Sequence, residues 1–196
     1  MNIDSTLKIG VVIVLIVFFV IYVVGVYNRL VNLTESAKAK QANIDVLLKQ
    51  RHSEIRKLVE TCGRFLAHEK ATFDMLARAR NDAQIAEASG DIKAIGQKES
   101  ELTRGVSRLM ALAESYPELK SDQIFVGLQM RIAALEEVIS DRKEMYNESV
   151  TFLNTAVAQF PSNLIAGFFG FERMSLLIIE EEFKRDVDLS DMLWKS

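Results

Sequence analysis

The 196-residue chain carries 49% hydrophobic and 26% charged side chains, enough for one domain of ordinary size plus an anchor or tail, and too apolar for a disordered protein. With 24 basic against 27 acidic residues and a formal net charge of −3, it has no basic surplus to track a phosphate backbone, so nucleic acid is not an expected partner. A single cysteine, Cys62, excludes an internal disulfide framework and a cysteine-built zinc site, and two histidines offer little for a metal centre, so neither metal nor other cofactor is expected.

Residues 1–8 form a short flank, followed by a run from Ile9 to Val26 without a charged residue. As a helix the run covers about 27 Å, close to the hydrocarbon thickness of a bilayer. Tyr22 and Tyr27 lie towards one end and Lys8 at the other, where amphipathic rings and a flexible cation suit the headgroup zone. The run is long for a signal peptide and no small-x-small cleavage site follows it, so residues 9–27 read as an uncleaved, single-pass anchor contacting lipid. Arg29, Lys38 and Lys40 behind the span outnumber Lys8 before it, a lean towards a cytoplasmic carboxyl side.

Beyond Tyr27 the apolar residues take a helical rhythm. Ile44, Leu48, Arg51, Ile55, Leu58, Cys62 and Phe65 recur at alternating spacings of four and three, the stripe by which one helix packs on another. The same helix is expected to continue through Leu76 and Ala79 to Ala88, with Ser89-Gly90-Asp91 supplying a glycine stop and an aspartate cap. A second run, Ile95, Leu102, Val106, Leu109 and Ala113, stops ahead of Tyr116-Pro117. A third opens at Ser121 or Asp122, carries Ile124, Leu128, Leu135, Ile139, Tyr146, Leu153, Ala156 and Phe160, and ends at Pro161; it would measure about 60 Å. Nothing reads as a strand. The fold class is all-α: an amino-terminal transmembrane helix followed over residues 28–171 by a long antiparallel up-and-down bundle. Gly63, Gly105 and Gly127 fall within the helical runs and mark either close crossings or local breaks.

Candidate chemistry is sparse. His68-Glu69 lacks the second histidine one turn later that a zinc protease needs, because Thr72 stands there. Cys62 paired with His52 or His68 would make a nucleophile, but Cys62 lies on the apolar stripe, where a packed thiol is expected. Carboxylates on long helices ordinarily form a solvated face. No catalytic residue is assigned and no enzyme activity is expected. Arg51, Arg131 and Arg142 occupy seam positions where leucine is expected. Either they form buried, register-setting ion pairs, with Asp45 or Glu69 as acceptors for such a network, or their stems pack while the guanidinium groups reach water.

Leu164 to Phe171 is an uncharged run after a proline, and residues 172–196 form an amphipathic acidic tail in which Leu176 to Ile179 and Phe183 alternate with acidic residues. Leu164, Ile165, Phe168, Phe169, Phe171, Leu176, Leu177 and Ile178 are therefore candidate interface residues, with the first segment packing into the bundle, inserting at the bilayer surface or contacting another subunit.

The chain resembles the LemA family of bacterial membrane-anchored helical proteins. The resemblance rests on Tyr27-Asn28-Arg29-Leu30-Val31-Asn32-Leu33, Ile44-Asp45-Val46 with Lys49, Arg51 and His52, Leu58-Val59-Glu60-Thr61, and His68-Glu69-Lys70. It continues through the segment from Leu112 to Lys120, Tyr146-Asn147, Phe160-Pro161-Ser162-Asn163 and Gly170-Phe171. Gln41, Gln50 and Arg56 depart from the usual tryptophan, arginine and proline, the last implying a straighter first helix. The resemblance implies an antiparallel four-helix domain at the bacterial cell (inner) membrane, with no established catalytic activity and no cofactor. It leaves the membrane face open, because some members carry a lipoprotein-type anchor. The function expected is a non-enzymatic membrane scaffold that forms a homo-oligomer through its bundle. The alternative is an adaptor or accessory subunit for another envelope protein such as a membrane protease.

Overall fold

The computed structural model describes residues 3–66 and 69–179, with side chains from residue 8 onward. His68 and the acidic tail from residue 180, Phe183 included, lie outside the described residues. Among the described residues all regular structure is helical: α1 Ile3–Cys62, α2 Lys70–Ser89, α3 Ile92–Ala113, α4 Pro117–Lys120, α5 Gln123–Ala158 and α6 Ser162–Phe169.

Helix α1 runs 60 residues because its sequence contains no proline and only two glycines, Gly10 and Gly25. Its Lys8–Cys62 portion contains the chain's one helical stretch, among the described residues, long and apolar enough to cross a membrane. The side chains of that stretch, Ile9, Leu15, Phe18 and Ile21 among them, stand exposed, as lipid-facing residues do.

The first helix does not continue to Ala88 as expected. It stops at Cys62, where Gly63 opens a turn: Leu66 N–H donates to the Cys62 carbonyl at 2.9 Å and Phe65 N–H to the same oxygen at 3.0 Å. The turn buries Leu66 beside Cys62, a packing gain that a straight helix forgoes. Other boundaries fall close to their sequence signals. Gly90 ends α2 with φ 71°, a left-handed conformation that glycine adopts without a Cβ penalty. Asp91 caps α3 by accepting from Lys93 N–H at 2.9 Å and Ala94 N–H at 3.4 Å. Asp122 accepts from Phe125 N–H at 2.8 Å at the start of α5. Of the residues expected on this helix, Ile124 is exposed and Phe160, beyond the end of α5 at Ala158, is exposed as well, while Phe125 is buried. Phe125 lies one turn before Leu128, in line with the buried Ile132 and Ile139, and so takes the core side of the helix.

The chain divides into two compact units. One comprises residues 3–43 and 144–176. Its core is Leu30, Ala156 and Ala166, packed with Val26, Leu33, Ile165 and Phe171. Here Lys40 donates to Ser149, and Tyr146 donates its hydroxyl to the Ser175 carbonyl at 2.9 Å. Asn154 clamps Met174, donating from Nδ2 to its carbonyl and accepting its N–H at Oδ1, both at 2.9 Å.

The other unit comprises residues 44–143 and 177–179. Its core joins Ile55, Leu58 and Cys62 of α1 to Leu76 and Ala83 of α2, Leu102, Val106 and Leu109 of α3, and Phe125, Leu128 and Ile132 of α5. Gly105 lets α2 and α3 approach closely, since a Cβ there would lie 3.0 Å from Leu76 Cδ1. At Gly96 a Cβ would collide with the Ile178 carbonyl, its carbon 3.1 Å away, so the extended chain after α6 lies directly on this turn of α3.

Candidate functional site

The second unit contains a buried polar cluster. Arg51 and His52, adjacent on α1, leave only 2% and 3% of their surface exposed, and Glu99 of α3 leaves none. Glu99 reaches the core because it lies four residues after Ile95 and three before Leu102, on the apolar stripe of α3. One of its oxygens accepts from Arg51 Nη2, and the other lies 2.8 Å from His52 Nε2. Arg51 Nη1 also donates to Thr103 Oγ1 at 3.4 Å and stands 3.8 Å from Glu136 Oε1 of α5. On the other side of the imidazole, Nδ1 faces Glu87 Oε1 of α2 at 3.5 Å. Four helices thus contribute to one network.

Three carboxylates, Glu87, Glu99 and Glu136, face one buried permanent cation, Arg51, while the exposed Lys49 ammonium acts on Glu87 from outside the core. Burial pushes the Glu87 carboxyl above its ordinary range, with Glu99 and Asp45 adding repulsion, against the pull of His52 and Lys49. Burial also raises Glu136, against the pull of Arg51. Two facing atoms, His52 Nδ1 and Glu87 Oε1, are buried without a hydrogen-bond partner among the described residues. A site deficient in positive charge is one that takes up a proton or a cation.

The three seam arginines have different fates. Arg51 is buried, and the carboxylates beside it are Glu99 and Glu136, not Asp45 or Glu69. Asp45, six residues earlier on the same helix, points to another face, and Glu69 lies beyond the break at Gly63. Arg131 is exposed, its Nε 3.4 Å from Glu54 Oε2; Glu54 also accepts from Lys57 at 2.6 Å. Arg142 is exposed as well. Cys62 is a packed thiol: burial, with Asp122 adding to it, pushes its pKa up to about 12, far from a nucleophile's range. A surface groove of about 600 Å³ between α2 and α3 carries Arg78, Arg104 and Arg108 against Asp74, Asp82 and Glu101, a charge-balanced face with no bias towards an ionic ligand.

The candidate interface residues also separate. Leu164, Phe168 and Phe169 of α6 are exposed, Phe168 by 84%, as are Leu176 and Ile178. Ile165 and Phe171 pack against the core of their own unit, and Leu177 is buried. Tyr27, at the end of the apolar run, lies edge-on to Phe169 and Phe171 with ring centres 4.8 and 5.6 Å apart.

Sequence reasoning singled out Arg51 but missed its partners. Seam position would have found them, because Glu99 and Glu136 interrupt apolar stripes just as Arg51 does: Ile132 and Ile139 flank Glu136 at spacings of four and three.

A family model described as the LemA family matches residues 40–190. Among curated proteins, the chain is 24% identical over 171 residues to magnetosome protein MamQ of Magnetospirillum gryphiswaldense, covering 76% of this chain and 63% of that protein. It is also 24% identical over 181 residues to magnetosome proteins MamQ 1 and MamQ 2 of Paramagnetospirillum magneticum, covering 81% of this chain and 66% of each relative. The chain therefore spans just under two thirds of the length of these relatives.

Proposed function

The chain belongs to the LemA family, and from that premise we propose that it is a membrane-anchored structural or accessory protein, non-enzymatic, whose helical domain self-associates in the plane of the bilayer. The observation that carries the reading is the course of α1, which passes from the apolar run into the packed domain as one helix. Within its own unit such a helix leaves no hinge between the apolar run and the core around Leu30, so the lipid-embedded run sets how that unit of every copy presents itself to its neighbours.

Helix α6 belongs to the same anchoring device. Tyr27 marks the headgroup end of the run, and its contacts with Phe169 and Phe171 bring α6 to that level. The exposed Leu164 and Phe168 then have lipid as their partner, one of the three fates the sequence left open for this segment. Self-association draws on planar tethering, which raises the effective concentration of each copy without any new contact. It also draws on exposed apolar side chains of the domain, including Val46, Met130 and Phe152.

Cross-linking in intact membranes, followed by sizing in mild detergent, tests the reading. A homo-oligomer is expected in both, and a strict monomer in both would refute self-association. A monomer cross-linked to a different protein would favour the adaptor reading. For α6, a tryptophan at position 168 in a Trp194→Phe background should be quenched by lipids brominated near the headgroup. Absence of quenching would remove α6 from the bilayer surface.

A further inference from the structure

The charge-poor side of His52 has the geometry of a metal site. His52 Nε2 lies 2.8 Å from Glu99 Oε1, and an ionised carboxylate only accepts, so Nε2 is the donor of that contact, and in the neutral ring the lone pair is then on Nδ1. That lone pair faces Glu87 Oε1, a second acceptor, at 3.5 Å. Two buried acceptors facing each other need a positive species between them. A charge-assisted hydrogen bond would draw the pair to about 2.8 Å. Two ligands at about 2.1 Å from a tetrahedral metal ion stand roughly 3.4 Å apart. The observed 3.5 Å gap is open enough for the second arrangement.

We propose that His52 Nδ1 and Glu87 Oε1 ligate a divalent transition-metal ion of the zinc class, with Glu99 as the carboxylate that orients the imidazole from its far side. One donor atom from each of these three residues lies within 4.8 Å of the other two. The division of labour follows from Glu99's contacts: one oxygen is held by Arg51 and the other holds Nε2, which is how a carboxylate fixes the tautomer of a metal-bound histidine. One imidazole and one carboxylate are borderline and hard donors, the set that suits zinc and its neighbours better than calcium, which takes six or more oxygens. Water completes the coordination shell. No metal is expected from the sequence here, because the cluster's residues come from three helices with no short spacing between them. The proposal is independent of membrane anchoring and of self-association.

The test is a zinc chloride titration of the chelator-treated full chain in mild detergent, read by calorimetry and by melting temperature. One zinc per chain and a rise in melting temperature are expected. Glu87→Gln keeps the shape of the side chain and removes the charged ligand; together with His52→Gln it should abolish the binding. Glu99→Gln should weaken affinity about 10- to 100-fold, and His68→Gln, which removes the chain's other histidine, should leave it unchanged. No zinc binding by the parent chain, or equal affinity in a folded Glu87→Gln variant, would overturn the proposal and leave a proton as the species between the two groups.

Discussion

Replacing Arg51 with methionine keeps most of the stem volume and removes the network's one buried permanent cation. The guanidinium is 2% exposed and its principal partner, Glu99, is wholly buried, so water cannot take over the lost contacts. Removing one partner of a buried pair costs about 3–5 kcal/mol, most of it the penalty of the charge left behind. For a chain of this size each kcal/mol moves the melting temperature by about 2–4 °C, so the Arg51→Met variant should melt roughly 6–20 °C below the parent. The loss should deepen between pH 4 and pH 7, because Arg51 is the group that pulls Glu136 down. Without it that carboxyl rises further, and stability present at low pH drains away as pH climbs through the raised value. Adding Glu99→Gln should recover at least half of the loss, since the stranded carboxylate is then gone. Melts of the full chain in mild detergent, followed by circular dichroism, measure all three. A loss under about 1 kcal/mol, or a double variant no better than the single one, would show that the guanidinium is solvated and that the burial argument fails.

Glu136→Gln should melt progressively higher relative to the parent as pH rises from 4 to 7, because the parent alone carries a carboxyl raised by burial and loses stability above its ordinary range. A difference independent of pH would contradict that sign. Gly96→Ala should lower stability by about 1–3 kcal/mol and expose the chain after α6 to proteolysis, since its Cβ meets the Ile178 carbonyl. Gly127→Ala, with nothing within 4 Å of the new carbon, should raise stability by up to about 1 kcal/mol; the reverse order of the two would refute the packing described. Cys62, with its pKa pushed up to about 12, should react with iodoacetamide at pH 8 more than about a hundredfold more slowly in the folded chain than in denaturant. Equal rates would place the thiol in solvent.

Much of the fold was legible because helical periodicity is a local signal. The stripe through Ile44, Leu48, Ile55, Leu58 and Cys62 is buried throughout, as are Ile95, Leu102, Val106, Leu109 and Ala113. The Gly90-Asp91 stop and cap work through neighbours two or three residues away. The break at Gly63 was harder to read, since its cause is the tertiary burial of Leu66 and a glycine in a helical pattern admits either outcome. The polar cluster was half visible. Arg51 stood out as a cation on an apolar stripe, whereas Glu87, Glu99 and Glu136 were read among the carboxylates of a solvated face. Each helix shows one stripe, but charge complementarity between stripes exists only once helices are laid together.

The clamp of Asn154 on Met174 determines more than one residue's position. A side-chain amide that offers a donor and an acceptor to the same backbone unit acts as one rung of a strand ladder and holds the chain extended through Met174 and Ser175. Leu177 and Ile179 turn inward while Leu176 and Ile178 turn outward, the two-residue alternation of a half-buried strand. Deleting one residue between Met174 and Leu177 would therefore exchange the two sets, burying what now faces outward, whereas deleting two would restore the alternation with the chain drawn in by about 7 Å. The segment after α6 thus tolerates changes in length by even steps only, a constraint written by its own alternation of inward and outward side chains.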